Sequence, residues 1–239
     1  MDASTGTRAR LAAIGTVLGV QSGLLGWALA RPGTLPSGAS AGIVGLAVLS
    51  AVLLGVEARS AGRREEESWW HPDWPRWALG SVLPGPNAGV FLAYLLRRRE
   101  AARADAPSGH WKLPLVAGVL VVTARFVGST VLPGTGDSSP ARAALLVVVL
   151  GVVGFTAVAA YYDLQYVTLA LSTADRGWFV DGHHWLAPLS VPFPGRVFFL
   201  ALYLFRRRVL LGRAAGPDQD IERLPTGVGR SGTSDGETP

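Results

Sequence analysis

Cysteine is absent from the 239 residues, and Lys112 is the only lysine among 22 basic residues. The lack of cysteine excludes disulfide bonds, thiol nucleophiles and thiolate metal sites. Charge is also scarce, because charged residues make up only 16% of the chain while hydrophobic residues make up 49%. Both values depart from ordinary soluble composition in the direction of a membrane protein.

The hydrophobic residues form four long runs. Residues 11–30, 39–56 and 143–162 carry no charge, and residues 113–132 carry a single charge, Arg125. Each run is long enough to cross a hydrocarbon core of about 30 Å as an α-helix. We therefore predict four transmembrane helices at these positions.

Two further apolar segments, 74–96 and 185–205, are rich in tryptophan and interrupted by proline. Proline kinks or breaks a helix, so the sequence leaves open whether these segments cross the membrane. If both return to the side they start from, 19 basic residues lie on one side and only Arg31 and Arg142 on the other, whereas six crossings give 13 against 7. Basic residues concentrate on the cytoplasmic side, so the charges favour the returning arrangement with both termini in the cytoplasm.

The second half of the sequence repeats motifs of the first. Three motifs return 109 positions later: Ser81-Val82 as Ser190-Val191, Tyr94-Leu95 as Tyr203-Leu204, and Arg97-Arg98-Arg99 as Arg206-Arg207-Arg208. We predict an all-α, polytopic integral membrane protein formed by tandem duplication of a three-segment unit. It has four firm transmembrane helices and two proline-broken segments, hence four to six spans. The repeats are residues 1–103 and 104–212, and residues 213–239 have too few large apolar groups to fold, so we predict a disordered polar tail.

Three ionisable residues in or beside the apolar runs are the candidate binding residues: Arg125, Asp163 and Glu57. Glu57 and Asp163 end the second run of each half at matched positions, where a carboxylate can pair with arginine across the two halves. We expect this pairing to be structural rather than catalytic. Arg125 lies within a run, where a central charge costs about 3 kcal/mol. It is either an anion contact, a partner of Glu57 or Asp163, or a side chain that extends to the headgroups.

Gly15, Gly19 and Gly23 share one face of the first predicted helix. Small residues at this spacing let membrane helices approach closely, so we expect this face to pack against another helix, within the chain or in a homo-oligomer. The lipid bilayer is the other expected partner. Although the net charge is +5, the arginines flank apolar runs, which indicates contact with lipid headgroups and not nucleic-acid binding.

No pattern in the sequence predicts a catalytic residue, a metal or a cofactor. Asp181, His183 and His184 form a D-x-H-H cluster, but adjacent histidines on one loop do not by themselves converge on a metal ion. Glu65-Glu66-Glu67 resembles the paired glutamates of CAAX-type intramembrane proteases, but His71 stands where arginine is expected. We interpret the triple glutamate as a solvated charge run.

A pattern of Asp-x-x-Tyr, tryptophan, a proline-broken apolar segment and Tyr-Leu-x-Arg-Arg resembles a motif of uncharacterised multi-pass membrane proteins of haloarchaea. The matching residues in the second half are Asp163, Tyr166, Val167, Trp185, Pro192, Tyr203, Leu204, Arg206 and Arg207. The first half matches at Trp74, Pro84, Asn87, Tyr94, Leu95, Arg97 and Arg98, but has Glu57 and Ser60 where Asp and Tyr are expected. The resemblance implies a membrane location and no assigned activity.

These features predict a multi-pass protein of the cell membrane whose biochemical activity the sequence does not reveal. We expect a non-catalytic membrane component or accessory. A small transporter or channel is the alternative, because internal repeats with broken helices are common in transporters. A membrane-embedded enzyme is the second alternative.

Overall fold

The computed structural model describes residues 3–31, 38–64, 70–103, 107–131, 140–171 and 195–215. Most of this part of the chain is α-helical: α1 (Ala3–Ala30), α2 (Ala39–Arg64), α3 (Trp74–Gly80), α4 (Pro86–Ala101), α5 (Lys112–Val131), α6 (Pro140–Ala170) and α7 (Gly195–Ala215). A 3-10 helix, Gly109–Trp111, precedes α5. Every regular element in the described ranges is helical, as the sequence predicts.

Three helices are long and apolar enough to cross a membrane. They are Gly6–Ala30 in α1, Ala39–Arg63 in α2, and α6 over its whole length. The fourth predicted span corresponds to α5, whose apolar part within the described residues is the shorter stretch Gly109–Ala124. Length and composition therefore fit a membrane protein with at least these three spanning helices.

The other helices pack around α6. This helix contacts α1, α4, α5 and α7, while α2 contacts α1, α3 and α4. Short connections join α1 to α2 and α5 to α6, so each pair forms an antiparallel hairpin. The C-terminal half of α6 contributes many of the buried side chains: Ala159, Ala160, Tyr162, Asp163, Leu164, Tyr166 and Val167.

The first Trp/Pro segment is broken where the prolines predict. α3 ends at Gly80, and α4 begins at Pro86 after a turn that contains Pro84. Between the two prolines, Gly85 has a φ of +94°, a conformation that is strained for residues with a side chain. The turn therefore depends on proline to end one helix and on glycine to reverse the chain.

Both ends of this α3–α4 hairpin lie at the same end of α2. Trp74, the first residue of α3, lies beside Gly55, and Arg98 near the end of α4 forms an ion pair with Glu57. The turn lies deeper, because Asn87 precedes Arg98 by about 16 Å of helix. The segment thus enters the helix bundle and returns to the end from which it started.

α4 and α6 cross with their backbones in direct contact. A side chain at Gly89 would overlap the backbone of Gly151 and Phe155, and a side chain at Gly154 would overlap Pro86. Such close approach is how membrane helices gain van der Waals contact where lipid supplies no hydrophobic drive. This crossing holds the hairpin turn against the middle of α6.

The glycine face that the sequence predicts on α1 contacts no other helix within the described residues. A Cβ atom at Gly15, Gly19 or Gly23 would meet nothing within 4 Å. The buried face of α1 instead carries Ile14 and Leu18. Packing of the glycine face against a second copy of the chain stays a prediction.

The C-terminal region is described only in part. The second Trp/Pro segment, 185–205, begins outside the described residues, and its later part forms the start of α7. α7 continues past Gly212 to Ala215, so the helix ends slightly later than the predicted start of the tail at 213. Arginine and alanine favour helix, which accounts for this extension. The rest of the predicted tail, 216–239, lies outside the described residues.

Candidate functional site

Glu57, near the C-terminal end of α2, is fully buried and joins the ends of three helices. Nε of Arg10 in α1 donates a hydrogen bond to its Oε2 at 2.6 Å, and Nη1 of Arg98 in α4 donates to its Oε1 at 2.7 Å. The Ser60 hydroxyl lies 3.4 Å from the same Oε2. One carboxylate therefore binds two arginines from different helices.

Asp163, near the C-terminal end of α6, is also fully buried. Nε of Arg207 in α7 donates to both carboxylate oxygens, at 2.8 and 3.0 Å, and the Tyr203 hydroxyl donates to Oδ2 at 2.7 Å. Nη2 of Arg207 also donates to the Gly109 carbonyl oxygen at 3.0 Å. Asp163 thereby joins α6, α7 and the 3-10 helix before α5.

The two ion pairs use positions that the predicted sequence repeat matches with each other. Arg98 and Arg207 are the middle residues of the two arginine triplets and lie 109 positions apart. Glu57 and Asp163 are the carboxylates matched between the halves, and their predicted pairing with arginine is confirmed. The prediction that they pair across the halves is corrected: these arginines come from the same half as the carboxylate. The reason is that each triplet belongs to a helix, α4 or α7, that packs against the carboxylate of its own half.

A second buried arginine besides Arg207 is Arg97, which lies in an aromatic and carboxylate environment. Its guanidinium stacks 4.2 Å from the ring centroid of Tyr162, and Nη1 donates to Oε2 of Glu100 at 2.7 Å. Glu100 also accepts from Nε1 of Trp111 at 2.8 Å and from the backbone N–H and hydroxyl of Ser108 at 2.8 and 2.6 Å. Burial raises the pKa of the Glu100 carboxyl, but Arg97 and these hydrogen bonds outweigh burial and hold the pKa below its usual value.

These charges lie at one end of the bundle, here called the arginine end and defined by Glu57, Asp163 and Arg97 with their partners. A buried charge without a counter-ion is costly in protein and in lipid. Both buried carboxylates bind arginine, and the pairs connect helices that are distant in sequence. The arrangement fastens helix ends to one another.

A polar cluster without charge lies deeper, beside the hairpin turn. Nδ2 of Asn87 in α4 donates to Oε1 of Gln21 in α1 at 2.6 Å and to Oγ of Ser50 in α2 at 3.2 Å. Each of the three side chains is 1% exposed. Side-chain hydrogen bonds between helices are a common means of association in an apolar environment. The cluster joins α1, α2 and α4 at the depth of the turn.

A cleft of about 420 Å³ lies between the α3–α4 hairpin and α6. Its polar lining residues come from the part of the hairpin and of α6 near the arginine end, and the rest of its lining is apolar. The lining near the arginine end is Trp70, His71, Asp73, Arg76, Tyr161, Tyr162 and Gln165, and the remaining lining is Trp77, Gly80, Leu83, Pro86, Val90, Val153, Gly154, Ala157 and Val158. A volume in this range is typical of ligand sites in proteins.

Of the three predicted site residues, Glu57 and Asp163 lie at the arginine end. The third, Arg125, belongs to α5, but its side chain lies outside the described part of the structure, so its role stays a prediction. The D-x-H-H cluster at 181–184 and the triple glutamate at 65–67 also lie outside it. Within the described residues, no three metal-binding side chains come together.

Sequence reasoning missed the Arg97 network and the cleft. The repeat aligns Arg97 with Arg206, yet Arg97 is fully buried and Arg206 is exposed, so the repeat gave no signal of the difference. The spacing of Gly85 and Gly89 is the signal that would have placed a close helix contact in α4. In the comparisons with known proteins, no family model, no curated protein and no solved structure matches this chain.

Proposed function

We propose that this protein is a non-catalytic structural component of the cell membrane. The observation that carries the proposal is the pair of repeat-equivalent clusters at the arginine end, Glu57 with Arg98 and Asp163 with Arg207. In each cluster, the buried carboxylate binds an arginine of another helix, and the ion pair joins the two helices. Charges that are bound in this way serve the fold, because removing one partner of a buried pair is strongly destabilising.

The architecture proposed for this function is a tandem duplication with four spans, 11–30, 39–56, 113–132 and 143–162. In each half, the following Trp/Pro segment returns to the side from which it started. The course of the α3–α4 hairpin supports this arrangement for the first half. The resemblance to haloarchaeal membrane proteins stays an expectation consistent with it.

The proposed orientation places the arginine end and both termini in the cytoplasm. Arg10, Arg98 and Arg207 lie at this end, whereas Arg31 and Arg142 lie at the opposite end of α1 and α6. Arginine bias of this kind sets the orientation of membrane proteins. A second copy of the chain is the proposed partner for the open Gly15/Gly19/Gly23 face, in a small homo-oligomer.

A small transporter is the second candidate, and the cluster beside the hairpin turn favours it. Transporters place substrate sites at broken helices near the middle of the membrane, often with polar groups from several helices. Here Asn87 stands at the start of α4, and Nε2 of Gln21 has no hydrogen-bond partner among the described residues. A transport path through the bundle would pass beside these side chains.

Water access at Ser50 separates the two candidates. The chain has no cysteine, so Ser50→Cys introduces a single thiol beside Asn87 and Gln21. We expect a small hydrophilic thiol reagent to leave this thiol unmodified in the native protein in membranes. The matched control is Ser40→Cys, an exposed position at the start of the same helix, which should react readily.

Both thiols should react once the protein is denatured, which verifies that each cysteine is present and reactive. Modification of Ser50→Cys in the native protein, at a rate within about tenfold of Ser40→Cys, would contradict the structural proposal. That result would establish a water path to the middle of the bundle and favour the transporter.

A further inference from the structure

The cleft between the α3–α4 hairpin and α6 combines a charged rim with an apolar interior. At the rim, Nε of Arg76 forms an ion pair with Oδ2 of Asp73 at 2.8 Å, and Nη1 donates to the Tyr161 hydroxyl. The Arg76 guanidinium also lies 5.6 Å from the Tyr161 ring centroid. Tyr161 thus fixes the guanidinium at the mouth of the cleft.

The Arg76–Asp73 ion pair is weak enough for another anion to replace Asp73 as the partner of Arg76. The two side chains are 59% and 46% exposed, and an ion pair so exposed contributes little to stability. Arginine has five N–H donors in a planar fork that matches the oxygens of a phosphate. Nη2 therefore adds two donors to those that already bind Asp73 and Tyr161.

The interior of the cleft provides an apolar path from the rim towards the middle of α6. Val90 of α4 and Val153 and Ala157 of α6 line this path, and Leu83 of the turn is 61% exposed. Gly80 and Gly154 also line the cleft. Val153, Gly154 and Ala157 belong to the middle of α6, which is long and apolar enough to cross a membrane, so a spanning α6 places this part of the cleft among the lipid chains.

Tryptophan side chains stand where the polar and apolar parts of the cleft meet. Trp70 and Trp77 line it and pack edge to face with ring centroids 6.5 Å apart. Aromatic residues of this kind concentrate at the boundary between headgroups and hydrocarbon. This order of polar, aromatic and apolar residues matches the order of headgroups, boundary and hydrocarbon in a bilayer.

We propose that the cleft is a binding site for one phospholipid of the surrounding bilayer. The phosphate binds the Arg76 guanidinium at the rim, and one hydrocarbon chain lies between the hairpin and α6. The complementary features are the guanidinium for the phosphate and the apolar path for the chain. The proposed lipid site does not require a particular number of spans. It stands or falls independently of the proposed structural function.

The decisive variant is Ala157→Phe, which fills the cleft from the exposed side of α6. The full chain, purified in detergent, would be analysed by native mass spectrometry for phospholipid that survives delipidation. We expect one bound phospholipid on the unmodified protein and roughly tenfold or greater loss of occupancy in Ala157→Phe, because overpacking excludes the chain. Ala144→Phe, exposed on the same helix but outside the cleft lining, should retain the lipid.

The rim is tested by adding phosphatidylglycerol, or a diacylglycerol with the same chains, to the delipidated protein. Phosphatidylglycerol should raise the melting temperature, and diacylglycerol should not. Arg76→Ala should weaken phosphatidylglycerol binding by roughly tenfold, and Arg76→Lys should restore much of it, since lysine binds phosphate as a point charge.

Three results would overturn the proposal. They are lipid retention by Ala157→Phe, equal loss in Ala144→Phe, and equal stabilisation by diacylglycerol. If Ala157→Phe does not fold, Arg76→Ala still tests the proposal, because Arg76 is exposed and its replacement should not disturb folding. Unchanged phosphatidylglycerol binding by folded Arg76→Ala would then remove the assigned phosphate site.

Discussion

A carboxylate buried at the end of an apolar helix depends on its counter-ion, and the two carboxylates of this protein differ in how deeply the counter-ion is buried. Arg207, the partner of Asp163, has a side chain that is 4% exposed. The partners of Glu57 are more accessible, with Arg10 37% and Arg98 20% exposed. After loss of the carboxylate, an accessible arginine can turn to water, whereas a buried one remains desolvated.

We therefore predict that Asp163→Asn destabilises the protein more than Glu57→Gln. Loss of one partner of a buried pair costs about 3–5 kcal/mol, and Asp163→Asn should fall in this range. Glu57→Gln should cost roughly half as much, because Arg10 and Arg98 are already part-exposed. The measurement is thermal unfolding of each variant in the same detergent, followed by circular dichroism.

The double variant Asp163→Leu/Arg207→Met provides the control. Replacing both members of a buried pair with apolar residues is often neutral, so this protein should be more stable than Asp163→Asn alone. Equal losses in the double and the single variant would mean that the Arg207–Asp163 pair is not the source of the effect.

At the residue scale, the sequence predicted the carboxylates and not their surroundings. Glu57 and Asp163 stood out because each ends an apolar run at a matched position of the repeat. Three consecutive arginines give no indication of which one is buried, since burial depends on the helix face that meets α6. Arg97 is buried because it stacks on Tyr162 and pairs with Glu100. The i,i+3 spacing of Arg97 and Glu100 is visible in the sequence, but the contact with Tyr162 on α6 has no local sequence signal.

At the scale of helices, the contact between α4 and α6 requires glycine, and the exposed glycine face of α1 does not. Gly89→Ala places a methyl group on the backbone of Gly151 and Phe155, where no flexible side chain can move aside. We predict a loss of about 1–3 kcal/mol for this variant, as in overpacked cores. Gly19→Ala meets open space and should be neutral or slightly stabilising, because alanine favours helix.

The same two positions separate folding from assembly. Thermal unfolding in detergent should rank Gly89→Ala below the unmodified protein and leave Gly19→Ala unchanged. A larger residue, Gly19→Leu, should leave the folded chain intact and reduce the size of the oligomer in gel filtration if a second copy packs on this face. Equal melting temperatures for Gly89→Ala and the unmodified protein would contradict the backbone contact between α4 and α6.

The sequence was more informative about elements than about their contacts. Uncharged runs of about 20 residues predicted α1, α2 and α6, because a helix that long satisfies its own backbone in lipid. Pro84 and Pro86 predicted the break before α4. The contact of Gly89 with α6 could not be predicted in the same way, because helix spacing identifies a glycine face but not the helix that it meets.

The whole molecule is polarised by charge from one end to the other. The ion pairs of Glu57 and Asp163 and the stacked Arg97 lie at the arginine end, together with the N-terminal part of α1 and the C-terminal part of α7. Arg31 follows the opposite end of α1, and Arg142 lies at the start of α6. This distribution agrees with the charge bias that the sequence assigns to the returning arrangement, and it makes orientation the property of the whole chain that is simplest to test.

Cysteine labelling in intact cells tests that orientation, because the chain offers no competing thiol. We predict that Arg99→Cys and Arg208→Cys, exposed residues at the ends of the two arginine triplets, are protected from a membrane-impermeant thiol reagent. Ser37→Cys and Ser138→Cys, in the segments before α2 and α6, should react, and all four should react once the membrane is permeabilised. The physical reason is that arginine bias holds both triplets in the cytoplasm only if each Trp/Pro segment returns. Six full crossings would put Arg99 and Arg208 on opposite sides, so labelling of Arg99→Cys with protection of Arg208→Cys would replace the returning arrangement with inverted halves, the arrangement typical of transporters.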